Sequence, residues 1–444
     1  MSAFELALAV ALLLVTGGGV GLLLCRAVSR RVPWPVPFGG TLTVLLGLFA
    51  VAAAQPNLFL LGAPRWSLLA LAYGAAFAGY ALAARGGGLR PPDRAAVLLG
   101  LGLALLLEPA VVLAATRPVT SNDALLIWWP KVREVAAGAA TDLHTLTADH
   151  VTPFYPRGMA WLASTAAGWN VPDAQLQRLL PVVFTWLCAM ALAAAARRLG
   201  APRGGMVLAV LFVALPEVAR QCHAGLSDVP VAAAILATGV GLTCRREHPA
   251  GVLLAVAAAL GAASIKEEGA LVLIVVAAFL VGDAVRRPHL RRAALAGLAA
   301  YCSVVPFAVA RAAVPRTRLD TAGVLFGEPD MLLRRVAAVA QALVDQLVAP
   351  GSLLRIEENA ADVAVPWTAW VVFVACAMLV PRSWPRRVVA APAVVVLLAA
   401  LAIQACSSVD VRWHMRTTLP RLVVEIAPLL LLAALGRMRL PRAP

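Results

Sequence analysis

Apolar stretches long enough to cross a membrane recur along this chain and restrict what it can fold into. They occupy residues 4–25, 36–55, 66–84, 95–115, 174–196, 204–216, 229–244, 250–265, 269–285, 293–314, 366–381, 388–406 and 422–436. A membrane helix needs roughly 17 to 25 such residues, so the pattern predicts about 13 transmembrane helices, several of them short. Hydrophobic residues make up 61% of the 444 and charged residues only 14%. This composition excludes an ordinary soluble domain and predicts an all-α integral membrane protein.

Short arginine-rich segments separate alternate apolar runs and predict how the chain is oriented. They fall at residues 26–31, 85–94, 197–203, 245–246, 286–292, 382–387 and 437–442. Because such segments mark cytoplasmic loops, the intervening loops and the N-terminus are expected to be external, in an inner or plasma membrane. The first run lacks a basic leader and a small-residue cleavage site, so it is expected to stay as a helix. The net charge of +15 is then an orientation signal, and nucleic acid is not an expected partner.

Two long loops interrupt the apolar runs and divide the chain into five parts. These are N-terminal transmembrane helices (1–115), a first large external loop (116–173), a central bundle (174–314), a second external loop (315–365) and C-terminal transmembrane helices (366–444). Each loop contains an amphipathic stretch, at residues 124–137 and 331–348, which is predicted to lie flat in the membrane interface. The seven cysteines show no C-x-x-C spacing, which indicates neither a disulfide framework nor a zinc knuckle.

The first large external loop carries residues suited to chemistry at a membrane surface. Trp128 and Lys131 follow Asp123 at spacings of five and eight residues, within reach of one helical face. A carboxylate can accept a proton, and a compact ammonium can hold a phosphate. Asp123 could equally cap a helix, which is the commoner use of aspartate at such a position. Further along, Tyr155 and Arg157 in T-P-F-Y-P-R are predicted either to face the same pocket or to belong to a rigid anchor.

A third polar cluster is predicted at the external ends of the central spans. Asp228 begins one apolar run, and Lys266 and Glu268 lie at the turn between the next two. Ionisable residues at membrane depth tend to face a cavity or a charged partner. The cluster is therefore either functional or a structural pairing of Lys266 with Asp228 or Glu268.

A fourth cluster precedes the last apolar run. It contains Asp410, Arg412, His414, Arg416, Arg421 and Glu425. Arginines at an external helix N-terminus oppose the orientation rule, which favours an anionic ligand such as a lipid phosphate. Glu425, one turn after Arg421, could instead neutralise that arginine.

The first loop also carries acidic and histidine residues that could gather a divalent metal. Asp142, His144, Asp149 and His150 match no familiar ligand spacing, and a solvated loop is the better interpretation. No metal is expected.

Five short motifs, in this order along the chain, resemble those of a glycosyltransferase family. They are D-A-L-L-I-W-W-P-K, T-P-F-Y-P, L-S-D-V-P, I-K-E-E-G and L-P-R-L-V-V-E-I-A-P. They resemble the GT-C superfamily of polytopic glycosyltransferases, particularly bacterial relatives of the dolichyl-phosphate-mannose protein mannosyltransferase and aminoarabinose transferase group. The chain departs from that pattern at Glu267, where the family has Asn, and at Val132, where it has Ala. It also places about four spans before the first motif where many relatives have one.

The resemblance implies inverting transfer of a sugar from a polyprenyl-phosphate donor to an acceptor hydroxyl on the external face. Asp123 would be the general base. The donor phosphate would be held by Lys131 and Arg421, with Lys266 or Arg416. Sugar or acceptor binding falls to Asp228, Glu268, Tyr155 and His414. No cofactor is expected besides the lipid-linked sugar, which is a co-substrate; the partners are membrane lipids and a glycan, lipid or protein acceptor.

A transporter or flippase of a lipid-linked or anionic solute is the main alternative. Transporters favour polar residues at the bilayer midplane and internal repeats, whereas the charges here concentrate in external loops and no repeat is evident. A polymerase or ligase that moves whole glycans would share the chemistry of the transferase.

Overall fold

The computed structural model describes most of the chain between residues 2 and 306 and five helical pieces beyond it. The described residues are 2–28, 39–85, 93–117, 124–138, 156–170, 174–288, 290–306, 308–309, 333–341, 392–398, 401–402 and 411–434, the side chains of 125–126, 216, 411–420 and 434 excepted. Of these residues 88% are helical, and none forms a strand. Six helices are long and apolar enough to cross a membrane, as expected for an all-α membrane protein.

The helices follow the apolar runs closely. They are α1 (Ala3–Val28), α2 (Gly40–Leu60), α3 (Arg65–Arg85), α4 (Arg94–Thr116), a π-helical turn (Ala124–Trp128), α5 (Trp129–Ala137), α6 (Gly158–Ala167), α7 (Ala174–Arg198), α8 (Pro202–Ala214), α9 (Pro216–Gln221), α10 (Asp228–Cys244), α11 (Pro249–Ile265), α12 (Gly269–Arg286), α13 (Arg291–Ala300), a 3-10 turn (Tyr301–Val304) and α14 (Val411–Ala434). Each predicted run from 4–25 to 269–285 coincides with one helix. The amphipathic stretch at 124–137 is helical as predicted.

The last helix is longer than the sequence predicts. The apolar run begins at residue 422, but α14 begins at Val411. The arginines and the histidine before Arg421 interrupt the hydropathy and not the backbone hydrogen bonding, since charged side chains are compatible with a helix. The fourth cluster, from Arg412 to Glu425, therefore lies on the helix itself; Asp410 is outside the described residues.

Glycines bring the first three helices into backbone contact. A Cβ added to Gly47 of α2 would lie 1.9 Å from the carbonyl oxygen of Gly17, and one added to Gly79 of α3 would lie 1.9 Å from that of Gly19. Small residues at such crossings let membrane helices pack closely. Gly17 and Gly19 are therefore close-packing sites of α1 against α2 and α3.

Burial separates central helices from peripheral ones. In the most apolar part of each span, 83% of α7 and 78% of α2 is buried, against 17% of α4 and 33% of α3 and α12. The short helices α10 and α11 are buried almost throughout. Thus α2, α7, α10 and α11 form the centre of the bundle, and α3, α4 and α12 present apolar surface outward.

Among the described residues, arginines of the segments at 197–203, 245–246 and 286–292 lie at one end of the bundle. Near the end of α7, Arg197 pairs with Asp93, the N-cap of α4, while at the start of α7 Arg178 donates to the carbonyl of Leu113 near the end of α4, at 2.7 Å. The two helices are therefore antiparallel. Arg245, just after α10, pairs at 2.5 Å with Asp283 near the end of α12. The first residue of α10 and the last of α11 consequently lie at the opposite end.

Candidate functional site

At that opposite end, Lys266 is enclosed by three carboxylates. Its Nζ lies 2.7 Å from Oδ1 of Asp228, 2.6 Å from Oε1 of Glu425 and 3.3 Å from Oε1 of Glu268. The side chains of Lys266, Asp228 and Glu425 are 2%, 0% and 0% exposed. The structural pairings of Lys266 with Asp228 and with Glu268, which the sequence left open, are thus both present.

Arg421 joins this group through the same aspartate. Its Nε lies 3.1 Å from Oδ2 and 3.2 Å from Oδ1 of Asp228. Glu425, which the sequence suggested as a neutralising partner of Arg421, is bonded to Lys266. We refer to Asp228, Lys266, Glu268, Arg421 and Glu425 as the Lys266 network; it joins α10, the turn after α11, and α14.

Local backbone geometry explains how the network is assembled. Asp228 is the first residue of α10, where the helix dipole stabilises a negative charge. Lys266 ends α11 in an extended conformation, with φ −150° and ψ 151°, and its N–H donates to the carbonyl of Ala262 at 2.9 Å. A Cβ on Gly269 would lie 2.1 Å from that same carbonyl oxygen. The glycine therefore permits the tight turn that directs Lys266 toward Asp228.

The charge balance of the Lys266 network leaves room for a ligand with hydrogen-bond donors. Two cations face three carboxylates, so the network carries a formal charge of −1 when all five groups are ionised. Oε2 of Glu268, Oε2 of Glu425 and Oγ of Ser227 are buried and have no hydrogen-bond partner among the described residues. Buried acceptors without donors are costly. Arg421 and Glu268, at 21% and 20% side-chain exposure, are the members that a ligand can reach.

A second charged group lies on α5 and at the start of α6. Arg157 donates through Nη2 to Oε2 of Glu134 at 2.8 Å, and Lys131 is 1% exposed. The pKa of Lys131 is lowered from an ordinary 10.5 to about 8, mainly by burial and also by the charge of Arg157, while Glu134 and Glu267 oppose the shift. We refer to Lys131, Glu134, Arg157 and Glu267 as the Lys131 network.

The two networks adjoin at the turn after α11. A Cβ on Gly158, the first residue of α6, would lie 2.4 Å from the carbonyl oxygen of Ser264, so Arg157 is held against the end of α11. Consecutive residues of the turn then serve different networks: Glu267 acts on Lys131, and Glu268 contacts Lys266. Lys266 and Arg421 thus share Asp228, and Lys131 is linked to the same turn through Glu267.

Arg65 fixes the first external loop to the N-terminal helices, a role that the sequence did not predict. From the start of α3 it donates to Oγ of Ser164 at 2.8 Å and to the carbonyls of Ala136, Gly168 and Asn170 at 3.3, 3.1 and 2.9 Å. These acceptors belong to α5, to α6 and to the chain just after α6. The additional N-terminal spans therefore support the segments that carry Lys131 and Arg157.

Several predicted residues lie outside what the structure describes. Asp123 and Tyr155 are outside the described residues. His414 and Arg416 lie in the first part of α14, residues 411–420, where only the backbone is described. The chain neighbour of Asp123, Ala124, is buried, and its Cβ lies 3.4 Å from a Cβ built on Gly225, three residues before Asp228.

The metal-site interpretation is untested for the first loop. The four loop residues weighed as ligands, Asp142, His144, Asp149 and His150, fall outside the described ranges. Within those ranges, no three His, Cys, Asp or Glu side chains are grouped to hold a metal ion.

Comparisons with known proteins found no match. No family model matches the chain, and neither a curated protein nor a solved structure is similar to it. Any functional assignment therefore depends on the motifs and on the geometry of the two networks.

Proposed function

We propose that the protein is a GT-C-like membrane glycosyltransferase with about 13 spans, which transfers a sugar with inversion from a polyprenyl-phosphate donor to an acceptor hydroxyl. The observation that carries the proposal is the meeting of Asp228, Lys266 and Arg421, from sequence-distant helices, in one buried network beside Lys131. These residues belong to motifs that resemble the family in the order D-A-L-L-I-W-W-P-K, L-S-D-V-P, I-K-E-E-G and L-P-R-L-V-V-E-I-A-P.

The proposed orientation of the protein in the membrane rests on the charges at the two ends of the helix bundle. Arginine-rich segments mark the cytoplasmic side, and their ion pairs lie at the end opposite Asp228 and Lys266. The site therefore faces the periplasm or exterior of the cell membrane. At about 1.5 Å per residue, the 17 residues of α10 span roughly 26 Å, so Asp228 lies near a membrane surface.

The geometry refines the roles implied by the resemblance. Arg421 is the member of the Lys266 network best placed for the donor phosphate, since it is partly exposed and keeps its charge at any relevant pH. Lys266, enclosed by carboxylates, acts as a positioning residue that holds Asp228 and Glu425. The unpartnered Oε2 atom of Glu268 is suited to accept a hydrogen bond from a sugar hydroxyl.

In the proposed reaction, the acceptor hydroxyl attacks the anomeric carbon from the face opposite the phosphate. Asp123 takes the hydroxyl proton, the new bond forms between acceptor oxygen and carbon, and the bond from the anomeric carbon to the phosphate oxygen breaks. The departing polyprenyl phosphate carries the electron pair, and Arg421 and Lys131 stabilise its charge. Support for Asp123 comes from its neighbour Ala124, which packs beside the segment leading to Asp228.

The test is release of polyprenyl phosphate by purified protein incubated with a panel of polyprenyl-phosphate sugars and hydroxyl acceptors. Wild type should release it from at least one donor, and Asp123→Ala should not. Asp93→Asn is a matched control, because Asp93 is an exposed carboxylate at the opposite end and asparagine retains its helix cap. Full activity in Asp123→Ala would remove Asp123 from the mechanism, and no release from any donor would reject transfer.

A transporter or flippase remains the second candidate, and one observation favours it. A buried lysine surrounded by carboxylates also occurs in proton and ion relays of transporters, and Lys266 with Asp228 and Glu425 has this composition. Movement of a labelled lipid-linked solute across proteoliposomes without any covalent transfer would select this function over the transferase.

A further inference from the structure

Arg157 is buried with most of its hydrogen-bonding capacity unused. Its side chain is 8% exposed and its Nη2 donates to Glu134. Its Nε and Nη1 atoms are buried and have no hydrogen-bond partner among the described residues. A buried guanidinium normally has its N–H groups satisfied, because each unmet donor costs free energy.

A second buried cation lies beside it. Lys131 is 1% exposed, and the two positive charges are near enough for Arg157 to disfavour the charged form of Lys131. Glu134 and Glu267 oppose this repulsion, so the Lys131 network is neutral when all four groups are ionised. The charges thus balance, but Nε and Nη1 of Arg157 still have no acceptor among the residues described, because only Nη2 reaches a carboxylate.

We propose that Arg157 and Lys131 form a binding site for an oxyanion of the phosphate ester class. An oxyanion supplies several acceptor oxygens, to which the Nε and Nη1 groups can donate. It also adds a negative charge beside two cations. Where the oxyanion is the phosphate of a lipid donor, the inference rests on the proposed function and adds Arg157 to the ligands of that phosphate.

The complementary atoms of the neighbouring network agree with this assignment. Within the described part of the chain, Arg157 has unpartnered donor atoms, and Glu268 and Glu425 of the Lys266 network have unpartnered acceptor atoms. The turn after α11 brings the two sets together. A sugar phosphate has the matching distribution, with acceptor oxygens at its phosphate and donor hydroxyls on its ring.

A purely structural role for Arg157 is the competing explanation. A substitution of Glu134 distinguishes that role from oxyanion binding. Arg157→Gln and Glu134→Gln both break the same ion pair. If the ion pair is the only function of Arg157, the two variants should behave alike. If Arg157 binds an oxyanion, only its own replacement should weaken binding, because Glu134→Gln keeps the guanidinium and removes a competing carboxylate.

The experiment measures binding of radiolabelled farnesyl phosphate to the full-length protein in nanodiscs, with unlabelled inorganic phosphate and neutral farnesol as competitors. We expect Arg157→Gln to weaken binding roughly 10- to 100-fold, as for loss of hydrogen bonds to a charged group, and Glu134→Gln to retain or improve it. Farnesol should compete poorly. Competition by inorganic phosphate as strong as that by unlabelled farnesyl phosphate would identify a site for free phosphate, in support of the oxyanion assignment.

Two results would overturn the inference: unchanged binding in Arg157→Gln, or equal losses in Arg157→Gln and Glu134→Gln. A thermal unfolding scan of each variant ensures that the folded protein is compared, and Arg157→Lys, which keeps a charge, should recover part of the binding. A different result would reject the proposed function alone. Phosphate binding that depends on Arg157, without sugar transfer from any donor, rejects the transferase and leaves the oxyanion site standing.

Discussion

Lys266 and Asp228 lie 38 residues apart in the chain, yet their charged atoms are 2.7 Å apart in a position closed to solvent. The pair closes the N-terminal end of α10 against the C-terminal end of α11, and Arg421 and Glu425 attach α14 to it. A single lysine thereby connects three helices of the bundle. Its replacement should affect both the stability and the chemistry of the site.

Lys266→Met should destabilise the folded protein by about 3–5 kcal/mol, because it leaves buried carboxylates without their cation. Adding Asp228→Asn should recover part of this loss, which is measured by thermal or denaturant unfolding in detergent. Asp93→Asn, which weakens a half-exposed pair at the opposite end, should leave stability nearly unchanged, because exposed ion pairs contribute little. Equal effects of Lys266→Met and Asp93→Asn would contradict the importance of the buried pair.

Donor binding should weaken as the pH rises through about 8. Burial and Arg157 lower the pKa of Lys131 to about 8, so its ammonium loses its proton in that range and with it the attraction for phosphate. Bound phosphate raises the midpoint, since it favours the charged form. The measurement is donor affinity between pH 7 and 9.5, with Lys131→Arg as the comparison, because arginine stays charged. The same pH dependence in both proteins would assign it to another group.

The same pKa shift predicts a pH dependence of stability. The folded-state pKa of Lys131 is below its ordinary value of 10.5, so the unfolded chain binds more protons between about pH 8 and 10.5. The contribution of Lys131 to stability should therefore rise with pH across that window and be lost as the pH falls through 8. Unfolding midpoints of wild type and Lys131→Met, compared from pH 7.5 to 10, test this; parallel curves would contradict it.

Gly158→Ala should destabilise the protein by about 1–3 kcal/mol and weaken donor binding. The added methyl would lie 2.4 Å from the carbonyl oxygen of Ser264, so α6 must move away from α11 and take Arg157 with it. Gly74→Ala is the matched control, since nothing lies within 4 Å of a Cβ at that helical position. We expect it to be neutral or slightly stabilising in the same unfolding assay.

Arg65→Gln should loosen the first external loop and leave the central bundle intact. It removes the hydrogen bonds that join α3 to Ser164, Ala136, Gly168 and Asn170. Hydrogen exchange should accelerate in α5 and α6 and remain unchanged in α10 and α11. Arg220→Gln, at an arginine whose side chain is 56% exposed, should leave all four helices unaffected; acceleration spread over the whole bundle would show that Arg65 is needed for global stability instead.

The helices could be predicted from the sequence because hydropathy alone determines where a membrane span lies. The run at 174–196 corresponds to α7, Ala174–Arg198, within two residues. Hydropathy failed at α14, where charged residues precede the apolar run and the helix nevertheless begins at Val411.

The polar contacts were less predictable, because they depend on which helices are neighbours. The i+4 spacing suggested that Glu425 neutralises Arg421, but the structure bonds Glu425 to Lys266 on another helix. Arg65 belongs to no motif, and its acceptors lie about 70 to 105 residues away in the chain. By contrast, the association of Lys266 with Asp228 was predictable from the cost of leaving either charge alone at membrane depth.

Glu267 and Glu268 are adjacent in the chain and serve different networks. Any tilt of this hairpin must therefore shift both sets of charges at once, and a molecule that settles against one set alters the affinity of the other set by a reciprocal factor. If the protein is the transferase proposed above, the binding of its donor and the binding of its acceptor should be coupled through this turn.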